Sequence, residues 1–233
     1  MDNVEGINIE SAKNSIMEYY NVSKAVLNNL YDVASNFLYG LKEVWASPNA
    51  VDFSQKFQNA TSSLSQSFKI KVNHTLIGLF SAGAAICNAH GVAHEWHNAG
   101  LDGLNVGDES FAVYGQVCEE KRNGTTGMVV QNVKLLVDEL NNNIKQLSNS
   151  LNDLPSSVAF YSADGSLISS YQTGKEQFVE AFSRLFEQTN TKINEYIETE
   201  TDNILIASST AFSNIEESSH DDTDAILNTE NFF

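Results

Sequence analysis

The run CNAHGVAHEWH, residues 87–97, holds the side chains best suited to chemistry. Cys87, His90, His94 and His97 recur at spacings of three, four and three, so on a helix all four would project from one face. Thiolate and imidazole donors of this kind suit a transition metal such as Zn, Cu or Ni. The same geometry limits the site. A helical row of four spreads its donors over about 15 Å, whereas a single ion needs them within about 4 Å of one point. At most two of the four could share a metal unless Gly91 breaks the helix or another element contributes. His94 and His97 with Glu95 between them do not form the H-E-x-x-H pattern of a zinc protease. The favoured role for the run is a polar helix end that packs Trp96, so no cofactor is expected, with a transition metal such as Zn as the alternative.

Other catalytic patterns are missing. The chain has no G-x-S-x-G elbow, no P-loop and no G-x-G-x-x-G fingerprint. Cys87 or Cys118 beside a histidine would imitate a Cys–His pair, but a thiol among small apolar residues is usually a buried, inert hydrophobe. The acidic pairs Glu119–Glu120 and Asp221–Asp222 are adjacent in sequence and point apart on a helix. No residue is assigned a catalytic role.

Charge narrows the partners. Thirteen Lys and Arg stand against 30 Asp and Glu, a net charge of −17. That balance offers no surface for phosphate counterion release, which argues against nucleic acid and against an anionic membrane. Two cysteines cannot build a disulfide framework. The N-terminal MDNVEGINIESAKNS has neither a basic region nor an apolar core and does not read as a signal peptide. TLIGLFSAGAAIC is the most apolar run and is too short to span a bilayer.

The elements that must position these residues show in the periodicity. Ile16, Tyr19, Ser23, Val26, Leu30, Val33, Phe37, Leu41 and Val44 step by three and four, one face of a long helix. A second seam follows Pro48 through Ala50, Phe53, Phe57, Ala60, Leu64, Phe68, Val72, Thr75 and Leu79. A third runs from Val130 through Val133, Val137, Leu140, Ile144, Leu147 and Leu151 to Leu154. A fourth is expected from Leu167 and Tyr171 through Phe178, Phe182, Leu185, Thr189 and Ile193 to Ile197, reaching toward Ile204. Pro48 and Pro155 each follow one seam and precede another. Asp164–Gly165 carries turn chemistry.

Nine of the 13 glycines fall between residues 78 and 127. There Asp108 would cap a short helix over 108–122 with Phe111, Tyr114 and Val117 on one face. The composition after residue 208 suggests a frayed, acidic tail. The expected fold is therefore all-α: two tandem long antiparallel helical hairpins with a Gly-rich middle segment, packed either as a four-helix bundle or end to end. The expected divisions are a hairpin at 1–90, a connector at 91–127, a second hairpin at 128–208 and a tail at 209–233.

A helix of about forty residues, then VWASPNAVDFSQKF, then a second amphipathic helix resembles the WXG100 family of small proteins exported by bacterial type VII (ESX) secretion systems. The resemblance covers about residues 5–85. Trp45 stands at the family's Trp, Ser47 stands where the family has Gly, and Pro48 follows. Phe53 and Phe57 match aromatic positions at the start of the second helix. The resemblance implies a non-catalytic, secreted helical protein. It would act through its apolar seams on a helical partner or by self-association, and would engage the type VII machinery. Export would need no signal peptide, and the chain would be cytoplasmic beforehand. The family's Tyr-x-x-x-Asp/Glu export signal matches Tyr196 to Glu200, near the expected end of the last helix, and also Tyr39 to Glu43. Two alternatives are an effector with a metal or enzymatic centre in 86–127 and an α-helical pore-former inserting LIGLFSAGAAI.

Overall fold

A computed structural model of the chain describes residues 6–107 and 117–229, with side chains to residue 214. The protein is mostly helical. In order, α1 is Ile9–Val44, β1 Trp45–Ala46, α2 Pro48–Ala89, α3 Ala93–His97, β2 Gly127–Met128, α4 Val130–Asn152, β3 Ser157–Tyr161, β4 Leu167–Gln172 and α5 Lys175–Thr229. The chain divides into two compact units, 1–190 and 191–233.

In the first unit α1 is the central element. Its periodic seam is buried from Ile16 to Leu41. A second row, Ala12, Leu27, Ala34 and Leu38, is buried as well, because α1 packs on α2, on α4 and on β3. A helix covered on several sides needs a wider apolar stripe than one seam. Asn8 starts α1 by accepting the Ser11 N–H at 2.9 Å. Along α4, Asn29 donates to the Ser150 hydroxyl at 2.7 Å. Gly40 admits Leu136 so closely that a Cβ at residue 40 would lie 2.5 Å from its Cδ2.

The seam of α2 departs from the simple three-four count. Ala60 is exposed and Leu64 half-buried, while Thr61 and Ser65 are buried in their place. Small polar residues let the helices approach, and Thr61 returns its hydroxyl to the Phe57 carbonyl at 2.9 Å. Phe68 of α2 meets Phe178 edge-on at a ring distance of 4.6 Å, and it meets Phe182 at 6.0 Å.

The segment expected to open the fourth helix is instead a β-hairpin. β3 pairs antiparallel with β4, with Val158 opposite Tyr171 and Phe160 opposite Ser169. Leu167 and Tyr171 keep a helical spacing but lie on a strand whose residues are all exposed. The expected turn is present: Gly165 has φ +84°, and Asp164 accepts the Ser166 N–H at 3.0 Å. The Ser162 hydroxyl, then the Ser166 N–H, hold the Asp164 carboxyl down at about 2. Val158 and Phe160 face inward and are buried.

Helix α5 also differs from expectation. It continues as one helix to Thr229, through residues whose composition suggested a frayed tail. Residues 175–229 contain neither Gly nor Pro, so nothing in the backbone stops the helix. Of the helix expected over 108–122, Asp108, Phe111 and Tyr114 lie outside the described residues. Residues 117–122, which include Val117, are not helical.

Tyr19 is fully buried between α1 and α2. Burial pushes its phenol up to about 12, although the hydroxyls of Thr75 and Ser23 pull it back in part. The ordinary value near 10 applies to the unfolded chain. The folded pKa is the higher one, so this contribution is intact below pH 10 and is lost as pH rises toward 12. The stability difference between wild type and Tyr19→Phe should be flat from pH 7 to 9. By pH 11 it should move against wild type by about 1.4 kcal/mol. Urea titrations across that range check it, and a flat difference through pH 11 would contradict it.

Candidate functional site

The turn between α1 and α2 is built from three residues. Trp45 ends α1 in extended conformation, its N–H returning to the Leu41 carbonyl. Ser47 starts α2: its hydroxyl accepts the Ala50 N–H at 3.1 Å, and Pro48 takes the first helical turn, where its missing N–H is not needed. Ser47 has φ −168°, extended backbone open to any residue. A glycine is therefore not required here, and serine supplies a cap that glycine would lack. Ser47→Ala should lower stability by about 1 kcal/mol, and Ser47→Gly by only a few tenths. Urea denaturation of the two variants measures both.

Trp45 is 1% exposed. Its ring lies 5.9 Å from that of Phe53. Phe53 stacks on Phe57 at 6.2 Å, and Phe37 of α1 meets Phe57 edge-on at 5.2 Å. The Trp, both expected Phe positions and one α1 aromatic thus form a single cluster that holds the two helices at their joined ends.

The turn is not a free tip. β1 pairs antiparallel with β2, Trp45 opposite Met128 and Ala46 opposite Gly127. The Val129 N–H donates to the Val44 carbonyl at 2.9 Å, and the Thr126 hydroxyl donates to the Ala46 carbonyl at 3.1 Å. The Arg122 guanidinium donates to the carbonyls of Lys42 and Glu43 and to the Glu43 carboxylate. A cation on the last carbonyls of α1 also opposes the negative end of the helix dipole. Lys42, Glu43, Ala46, Glu119 and Arg122 line a cleft of about 150 Å³ beside it. None of residues 119–129 is marked by the sequence as part of the turn. The partners lie about 80 residues apart along the chain, and no local pattern encodes such a pairing.

The Cys/His run sits elsewhere, at the end of α2. Gly91, at φ +73°, breaks the helix, and α3 follows. Cys87 is buried in α2, and its thiol is pushed up by burial, then by the Glu95 charge. His90 and His94 are exposed, His94 with Nε2 3.9 Å from the Glu95 carboxylate. His97 rests edge-on against Phe80 at 5.6 Å. Among the described residues no three His, Cys, Asp or Glu side chains converge on a metal point.

What the run does position is Trp96. Its ring is fully buried, with Nε1 donating to the Phe80 carbonyl at 2.9 Å and Phe160 edge-on at 6.1 Å. Gly83 makes the room: a Cβ there would lie 2.1 Å from Trp96 Cζ2.

Tyr196 and Glu200 lie in the unit 191–233, both half-buried. They stand well inside α5, not near its end, because the helix continues to Thr229. In the second match, Tyr39 is exposed and Glu43 is engaged by Arg122. By length and composition alone α2 could cross a membrane. Its most apolar window of 18 residues has mean hydropathy 1.3, and 33% of that window is buried. LIGLFSAGAAI falls within α2, where Leu76, Leu79 and Gly83 are buried.

Comparison of the chain with protein-family models, with curated proteins and with solved structures gave no match.

Proposed function

We propose that the protein is a non-catalytic helical interaction protein of WXG100 type, a substrate or partner of a bacterial type VII secretion system. The observation that carries this reading is the buried Trp45 at a three-residue turn between two long helices, clustered with Phe53 and Phe57. Ser47 removes the main difficulty, because the turn has extended backbone where the family's Gly stands and uses serine as a cap. In this reading α1 and α2 form the first hairpin and α4 with α5 a second, degenerate one carrying a β-hairpin at its tip. Polar groups at the turn serve as caps and ties, consistent with a binding role instead of turnover. Tyr196 and Glu200 are the export-signal residues, and the chain leaves the cytoplasm without a signal peptide.

A tagged chain expressed in a bacterium with an active type VII system tests this. It should accumulate in the culture supernatant, and deletion of the system's ATPase or Tyr196→Ala should remove it. Equal export with and without the ATPase, with cell lysis excluded, overturns the reading.

A further inference from the structure

Within the unit 191–233, one face of α5 changes character along its length. Ile193 and Ile197 are buried. At helical spacing Ile204 continues that face, Leu205 and Phe212 flank it roughly a quarter-turn round, and Ile206 lies beyond them; in that order they are 53%, 62%, 68% and 64% exposed. Every residue from 201 to 214 is exposed. An isolated helical stretch gains little stability in water without an apolar face packed against something, and a run of large exposed apolar groups marks an interaction surface.

The charge pattern says what kind of surface fits. Residues 203–215 carry no charge, whereas Glu195, Glu198, Glu200 and Asp202 precede them and Glu216 and Glu217 follow. Between 191 and 229 there are nine acidic residues and one Lys. A second copy would bring the same sign to both flanks, and the chain as a whole, at −17, has few cations to offer. Like charges facing each other across an interface oppose binding, and complementary ones favour it.

We infer that residues 201–214 of α5 dock into an apolar groove of a different protein whose rims carry Lys and Arg. This is a helix-in-groove interaction anchored by Ile204, Leu205 and Phe212. It stands independently of the secretory reading, which rests on the Trp45 turn.

The test uses the full chain and a fluorescent three-heptad probe helix with Leu at the a and d positions and Lys at e and g. Anisotropy should show binding that weakens with salt. Ile204→Ser/Leu205→Ser/Phe212→Ser, all at exposed positions, should weaken it by about tenfold or more while circular dichroism stays unchanged. A probe with Glu at e and g should not bind. Three results overturn the inference. A Lys probe with Ser in place of Leu binds as tightly, which makes the attraction charge alone. The triple variant binds the first probe unchanged. Or light scattering shows the wild-type chain to be a dimer that the triple variant abolishes, which assigns the stripe to a second copy.

Discussion

Trp45→Ala should lower the unfolding free energy by about 3–5 kcal/mol, the range for emptying a fully buried indole site. The ring is 1% exposed and touches Phe53, so its removal leaves a cavity where α1, β1 and α2 meet. The backbone pairing of residue 45 with Met128 of β2 survives the change, so the loss is that of the indole ring. Trp45→Phe should retain more than half of the stability, since an aromatic ring still meets Phe53. Urea denaturation followed by circular dichroism gives both values. Fluorescence adds a check, because the chain has only two Trp and Trp96 becomes the sole reporter in either variant. A loss below about 1 kcal/mol for Trp45→Ala, the scale of an ordinary surface change, would mean that the turn cluster does not hold the helices together.

The second large effect is Gly83→Ala. In an open helical position, Gly→Ala adds roughly 0.5–1 kcal/mol of stability by restricting the unfolded chain. Gly78, also in α2, has nothing within 4 Å of a built Cβ, and Gly78→Ala should show that gain. At residue 83 the new methyl meets the Trp96 ring at 2.1 Å. The ring must move, the hydrogen bond to the Phe80 carbonyl is strained or lost, and the contact with Phe160 opens. The net change should be a loss of about 3 kcal/mol, at the upper end of overpacking effects. The two substitutions are chemically identical and lie on one helix, so opposite signs isolate the Trp96 contact. Equal effects from both would contradict the described packing.

The sequence made some of this legible and hid other parts for physical reasons. The α1 seam was readable because a long helix must repeat its buried side chains every three or four residues. Its second buried row, Leu27, Ala34 and Leu38 among them, was apolar in plain view, yet periodicity alone does not tell how many neighbours a helix has. In α2 the seam shifted onto Thr61 and Ser65 because both are small enough to be buried at a close helix contact, and Thr61 returns its hydroxyl to the Phe57 carbonyl. Leu167 and Tyr171 were misread because four-residue spacing suits a helix and also places both residues on one face of a strand, apart from the irregularity in register near Tyr161. The acidic stretch after residue 208 looked like a tail, but composition speaks to packing and solubility more than to backbone conformation.

At the candidate site the division is similar. Trp45, Pro48, Phe53 and Phe57 were legible because they lie within one local turn. Arg122 and residues 127–129, which tie that turn down, were not, because their partners are distant in the chain. The Cys/His run offered ligand chemistry by spacing. Gly91 and α3 then sent His94 outward and turned Trp96 inward, which only the fold could decide.

The central place of α1 bears on how the chain is made. Two of the elements that pack on α1, α4 and β3, follow residue 129, whereas α1 itself ends at Val44. At a synthesis rate of about 5–20 residues per second, α1 is complete about 4–17 s, and α2 about 2–8 s, before α4 begins. Through that interval the side of α1 that α4 will cover stays open to water. The burial of α1 is therefore completed late in synthesis, when α4 arrives.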